Sequence, residues 1–394
     1  NLKRRGEDVY SPGGALKRPD RAVIVYANKI RALHPHAPIV LGGIEASLRR
    51  FAHYDYWSDS VRQSILADAP GDMLVFGMGE QQATAIAERL DRGERIGEIT
   101  DIPGTMVKME PARWRSVDHA GMVVLPSFNE VASSREAFAR AFSLHAAEQD
   151  PFRGRPIAQE QRKTVVIQNP PALPLTTEEL DHIYELPYVR RAHPSYKEPV
   201  PALEPVQFSV TSHRGCFGCC SFCALTHHQG RIIQSRSMDS IVHEVERMRE
   251  MPEFKGVVQD IGGPTANMYG AWCGRWNGTG TCSDRDCDPE CPALALNHAA
   301  QVELLRRLRE IPGVKKVFIG SGVRHDLVLA DGSAYLPEIC RHHVSGHLKV
   351  APEHISPSVL RVMHKPEREV FEEFRRRFQE ESRKEGKKQY ILPY

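Results

Sequence analysis

Four cysteines fall within eight residues, Cys216, Cys219, Cys220 and Cys223, in the stretch "SVTSHRGCFGCCSFCALTHH" at 209–228. Thiolates are metal ligands and nucleophiles, so this density points to chemistry. A CxxC…CxxC zinc site needs its two pairs separated by a loop of about 12–20 residues. Here Cys219 and Cys220 are adjacent, and one tetrahedron does not easily accept all four. A bacterial ferredoxin run would need a cysteine at 222, where Phe222 stands. A thioredoxin-like pair stays open at 216/219 or 220/223, although that motif opens a helix after a strand of its own fold. The spacing Cys216-x3-Cys220-x2-Cys223, in a loop after a strand, fits three ligands of a [4Fe-4S] cube. One iron is then left without a protein ligand, and an open metal position is a site for substrate or cofactor. Cys219 is the odd thiol, read as a small buried side chain.

A second quartet follows in "AWCGRWNGTGTCSDRDCDPECPAL": Cys273, Cys282, Cys287 and Cys291, spaced x8, x4, x3. The insertion 270–295 is rich in glycine and poor in apolar residues, so it buries little and needs a staple. Four thiolates close a zinc tetrahedron or hold an auxiliary Fe–S cluster. The spacing does not choose between them; zinc or a structural cluster is the reading favoured over a catalytic one. Cys340 stands alone and reads as core.

The elements around these loops alternate. In residues 20–95, "RAVIVYANKIRAL" has apolar residues at helical spacing and "APIVLGG" is a short strand ending in glycines. "SVRQSILADA" reads as helix, "GDMLVFGMGE" as a strand running into a turn, and "QQATAIAERLDRG" as a helix stopped by Gly93. Strand, glycine turn and helix in repetition predict βαβ units and a parallel sheet, so 1–150 is expected to be a Rossmann-like domain. Ten prolines in 151–205 predict an extended linker. From 206 the alternation resumes: "VQFSVT", "GVVQDIGG", "VKKVFIGSG" and "GHLKVA" are strands separated by helices. "KKQYILPY" starts a fifth strand where the chain stops. Residues 206–394 are thus expected to form a partial (β/α) barrel, α/β in class and truncated at its C-terminal side. The charged stretch 375–388 reads as a solvated helix face.

At 394 residues there is room for two or three domains, and 41% hydrophobic with 26% charged residues is ordinary for a globular chain. With 52 basic and 50 acidic residues the formal charge is only +2, which gives no electrostatic case for nucleic acid or a membrane surface. No apolar run approaches the roughly 20 residues a membrane helix needs. Nine cysteines, eight of them in two clusters, suit metal or cluster binding in a reducing cytoplasm better than a disulfide framework.

Several stretches carry a resemblance. "SHRGCFGCCSFCA" resembles the cluster loop of the radical S-adenosylmethionine (SAM) superfamily, and "GRIIQSRSMDSIVHEVERM" the segment after it. With "YSPGG", "RPDRAVIVY", "VLGGIEASLRRFAHYDYWSD", "DIGGPTANMYG", "GSGVRHDL" and "VAPEHISPSVLRVMHKP", the chain is similar, over nearly its whole length, to the YgiQ family of that superfamily. The resemblance implies that Cys216, Cys220 and Cys223 hold a [4Fe-4S] cluster whose open iron chelates SAM. Reductive cleavage of SAM then yields a 5′-deoxyadenosyl radical that takes hydrogen from a substrate the sequence does not reveal. It also implies a reductase or a flavodoxin- or ferredoxin-type electron donor.

Ligands of parallel β/α domains sit at the carboxyl ends of strands. SAM contacts are therefore expected from Gly262, Gly263 and Thr265, with Pro264 replacing the acidic residue usual after the glycines. Ser321, Arg324 and Glu353 are expected from the next strand ends. Arg236 offers a planar fork to the SAM carboxylate. "IVLGGIEAS" and "VFGMGEQQA" resemble turns of a cobalamin-binding domain, but D-x-H-x-x-G is absent, so that fold is expected without cobalamin. "FAHYDYWSD", which combines His53, Tyr54, Asp55, Tyr56 and Trp57, reads equally as the lining of an interdomain cleft or as packing. A passive iron–sulfur or zinc protein and a methylthiotransferase-like RNA modifier are the competing functions. The near-neutral charge disfavours the second.

Overall fold

The computed structural model describes residues 6–332 and 334–394. They divide into two compact units. The first is built from Lys17–Leu173 with His227–Gly230, the second from Glu7–Leu16, Pro174–Thr226 and Arg231–Tyr394.

In the first unit a six-stranded sheet is made of β1 (Val40–Leu41), β2 (Met73–Val75), β3 (Thr105–Met109), β4 (Val123–Val124), β5 (Ile157–Glu160) and β6 (Val165–Gln168). Their order is β1-β2-β3-β6-β5-β4. Alternation sends successive side chains to opposite faces. Leu74, Met106, Ile157 and Val166 join one apolar cluster; Met73, Val75, Val107, Ala158, Val165 and Ile167 join the other. A sheet buried on both faces must be covered on both. Helix Ala22–Leu33 packs toward the first cluster through Val23, Ile24 and Ala27, and helix Glu80–Asp91 toward the second through Ile86.

The α/β class is as expected, with two corrections. The sheet is mixed: only β1/β2 and β4/β5 run parallel, whereas β2/β3, β3/β6 and β5/β6 are antiparallel. The short 161–164 connection dictates one of these pairs, because a tight hairpin joins only antiparallel strands. Residues 151–205 are also more than a linker. They contribute β5, β6 and helix Thr177–Glu185, which begins in a Thr176/Glu179 capping box. Their prolines flank the β-branched runs instead of interrupting them. "SVRQSILADA" likewise divides into a hairpin strand, Ser60–Arg62, and a one-turn helix, Ile65–Asp68. The hairpin partner His53–Asp55 buries Asp55 against Arg21 at 2.5 Å, while Tyr54, Tyr56 and Trp57 are exposed.

The second unit is a run of parallel strands. β7 (Ser209–Thr211) pairs with β9 (Asp260–Gly262), β8 (Val257–Val258) with β10 (Lys316–Val317), and β11 (His347–Val350) with β12 (Tyr390–Pro393). Backbone bonds from Ile261 to Phe318 and from Val323 to Lys349, 3.0 and 3.1 Å, join the pairs. Helices Met238–Arg249, His298–Glu310 and Arg368–Lys384 fall between successive strands, as a partial (β/α) barrel requires. Val210, Ile241, Val258, Ile261, Leu348 and Phe374 meet in one core. Among the described residues no helix is long and apolar enough to cross a membrane.

Three buried histidines make this unit acid-sensitive. Burial pushes His213, His325 and His343 each down to about 4 from the ordinary 6.5. An unfolded chain protonates them near 6.5, the fold only near 4, so the unfolded state binds more protons between those values. Stability is full above this window and is lost as pH falls through it. Urea midpoints are expected to drop steadily from about pH 7 to about pH 4.5. A midpoint that stays flat over that range would contradict the assignment.

Candidate functional site

The cysteine loop leaves β7 through the short strand His213–Arg214, which pairs with Gln234–Ser235. Gly215 then turns with φ +85°, and a Cβ there would lie 2.1 Å from the Ile232 carbonyl oxygen. Only glycine fits both demands. Phe217 anchors the loop, fully buried with Trp276 at 6.1 Å between ring centroids. Ser221 pins it again, its N–H donating to Met363 O at 3.2 Å and its hydroxyl to Val362 O at 2.7 Å.

Between these anchors the thiols ring Gly218. A Cβ on Gly218 would stand 3.5 Å from Cys216 Sγ, 4.0 Å from Cys220 Sγ and 2.9 Å from Arg324 Nη1. Cys223 follows one turn later, its N–H donating to Cys220 O at 3.0 Å. Burial pushes the Cys216 thiol up, opposed by Arg324 and reinforced by Cys220 and Cys223. Cys219 turns elsewhere. Its surroundings include Arg231, Asp286 and Cys287 of the second cysteine segment, and burial is the main reason its thiol is pushed up to about 12. Cys216 and Cys220 thus meet at Gly218 with Cys223 near enough to act on Cys216, while Cys219 lies toward the second cysteine segment. Among the described residues no three Cys, His, Asp or Glu side chains close to single-ion distance.

A cavity of about 130 Å³ opens beside Cys216 and Cys220, and Thr265, Ser321 and Arg324 line it as well. Arg324 is held by Asp326 through Nε at 2.9 Å and Nη2 at 2.8 Å. Its backbone is fixed by the Asn267 amide, whose oxygen accepts from Arg324 N–H at 2.8 Å. Burial acts to lower the Arg324 pKa, but Asp326, with Cys220 and Cys216, outweighs it and the net shift is upward. Ser321 is shaped by Asp260 of β9, whose Oδ1 accepts from Gly320 N–H at 2.7 Å and Ser321 N–H at 3.0 Å.

Other predicted contacts sit elsewhere. Arg236 is entirely buried. It ion-pairs with Glu244, donates to Ser240 Oγ at 2.8 Å and to Thr211 O at 3.0 Å, and stacks on Tyr184 at 4.2 Å. A desolvated guanidinium demands such partners, and they leave Arg236 a brace between β7 and the helix Met238–Arg249. Gly263 faces protein: a Cβ would meet His213 Nε2 at 2.8 Å. At Gly262 it would meet Ser321 Oγ at 1.9 Å, so this glycine makes room for a cavity residue. Glu353 has φ +66° and pairs with Lys365 at 3.6 Å, outside the cavity lining.

Lys349, Lys365 and His325 line the cavity and were not singled out in the sequence. Lys349 lies on an exposed position of the alternating strand β11, an available signal. His325 is 2% exposed and its Nε2 has no hydrogen-bond partner among the described residues. The three remaining cysteine-rich positions and Cys282 are described below; Cys340 is fully buried, as expected of core.

In the first unit, the Gly77 turn faces the chain itself. Gly77 has φ +75°, its N–H donates to Ser47 Oγ at 3.0 Å, and a Cβ would lie 3.3 Å from His228 O. Ser47 Oγ also meets His228 Nδ1 at 3.0 Å, and Arg50, buried over Phe76, reaches His227 O at 3.5 Å.

Residues 1–209 match the family model described as Radical SAM N-terminal. A UPF0313 protein of Methanosarcina acetivorans is 52% identical over 100% of this chain and 56% of its own length. One from Methanosarcina mazei is 51% identical, over 100% and 68%. The chain thus spans little more than half to two thirds of these relatives. A solved structure of the cobalamin-dependent SAM radical enzyme OxsB, with aqua-cobalamin and SAM bound, matches 94% of this chain and 39% of its own. The TM-score is 0.51 at 10% identity, a likeness of fold.

Proposed function

The chain belongs to the UPF0313 family of the radical SAM superfamily, and from that membership we propose that it is the SAM-cleaving core of a radical SAM enzyme. The observation that carries the reading is the ring of Cys216, Cys220 and Arg324 around Gly218, opening on a cavity with two further cations. Cys216, Cys220 and Cys223 are the ligands of a [4Fe-4S] cluster, and the cavity receives SAM. When bound, the cluster supplies one electron for reductive cleavage of SAM.

The chain's own part is to hold and to shield. Gly215 and Ser221 fix the loop so that three thiols face one way. Arg324 places positive charge beside two thiolates, which lowers the cost of keeping them ionised together. Lys349 and Lys365 supply charge for a carboxylate, and Thr265 and Ser321 supply hydroxyls for orientation. Met268, Val323 and Val350 form the apolar wall that excludes water from the site. None of the nine cysteines is paired in a disulfide, a state suited to a reducing cytoplasm, and the partner is a low-potential one-electron donor of flavodoxin or ferredoxin type.

The test is anaerobic reconstitution with iron and sulfide, reduction, and addition of SAM. Release of 5′-deoxyadenosine is expected, slowly without substrate. A full cluster that leaves SAM intact under strong reduction would overturn the reading in favour of a cluster carrier.

A further inference from the structure

The second cysteine segment is gathered without an apolar core of its own. Its regular structure is one two-residue ladder, Trp272–Cys273 against Leu294–Ala295. Yet Cys273 and Cys287 are only 6% and 8% exposed. The ladder sets Cys273 opposite Leu294, whose N–H donates to Cys291 O at 3.1 Å, so the first and last thiols share one end of the loop. Arg231 ties in the other two, donating to Cys282 O at 3.1 Å and reaching Cys287 Sγ at 3.9 Å. Arg275 Nη1 lies 3.3 Å from Cys282 Sγ.

We propose that Cys273, Cys282, Cys287 and Cys291 hold a second metal centre, a zinc ion or an iron–sulfur cluster, that fixes this insertion against the loop carrying the first three thiols. Arg231 and Arg275 place positive charge beside the sulfurs of Cys287 and Cys282. The four thiols do not close to single-ion distance. Metal entry therefore tightens a loop that the ladder and Arg231 have already collected, the usual coupling of binding to folding. Contact with the first loop is made by Trp276 against Phe217, 6.1 Å between ring centroids, and Asp286 meets His364 Nδ1 at 2.7 Å, next to Met363 whose carbonyl accepts from Ser221 N–H.

The test removes the first set of ligands. The triple variant Cys216→Ala, Cys220→Ala, Cys223→Ala is purified anaerobically, offered zinc in one arm and iron with sulfide in the other, and desalted. It is expected to retain about one zinc or about four irons per chain, and visible absorbance identifies the second case. Adding Cys273→Ser and Cys287→Ser should abolish that metal. In the unmodified protein, Cys282 and Cys291 should resist iodoacetamide until a chelator is added, a readout independent of how the variants fold. A folded triple variant that holds neither metal, or equal alkylation of Cys282 and Cys291 with and without chelator, would overturn the proposal.

Discussion

Replacing any one of Cys216, Cys220 or Cys223 by Ala is expected to take the first-site iron from about four per chain to background and 5′-deoxyadenosine release with it. The effect is all-or-none because a cube already lacking one protein ligand has none to spare. Loss of Cys216 or Cys220 also removes one of the two thiols that flank Arg324, leaving the other and Asp326 at 2.8 Å to face its charge. Cys219→Ala is the control, since this thiol faces Arg231 and Cys287, and it should retain the first-site iron. Iron is counted in a background lacking Cys273 and Cys287, so that the second centre does not mask the change. Full iron and SAM cleavage in any of the three single variants would refute the ligand assignment.

Glu244→Ala should be the most destabilising single change outside the cysteines. Glu244 is 6% exposed and pairs with both Arg236, whose side chain is wholly buried, and Arg190. Removing a carboxylate from a buried pair strands uncompensated charge, at a cost of about 3–5 kcal/mol. Arg236 also donates to Thr211 O on β7, so the damage reaches the strand from which the cysteine loop departs. Glu244→Gln keeps an acceptor and should lose less. Urea midpoints of both variants check this; an unchanged midpoint for Glu244→Ala would show that Arg236 finds solvent or another partner.

Local pattern was legible in the sequence wherever one physical rule decided the outcome. Helix Ala22–Leu33 and the strands of the second unit follow from periodicity. Strand direction in the first sheet did not follow, because the run from helix Glu80–Asp91 to β3 has the same local look whichever way the strand enters. The prolines of 151–205 do not separate linker from strand, because they mark strand ends as readily as extended connections. The fork of Arg236 suits a carboxylate, and only the fold reveals that Glu244 already occupies it. Lys349 and Lys365 do not stand out in the sequence, because a lysine on an exposed strand position or in a loop is ordinary until a cavity forms beside it.

The passage of His227–Gly230 through the first unit has a consequence for how such a protein can be divided. The chain leaves the second unit after Thr226, only three residues beyond Cys223, and rejoins it at Arg231. No single cut in the gene therefore releases either unit whole, and a fragment starting at Pro174 carries a tetrapeptide whose Ser47 and Gly77 partners have been left behind. The two units are not interchangeable cassettes. A recombinant that swapped the first for a homologue's would have to preserve the turn that receives this tetrapeptide.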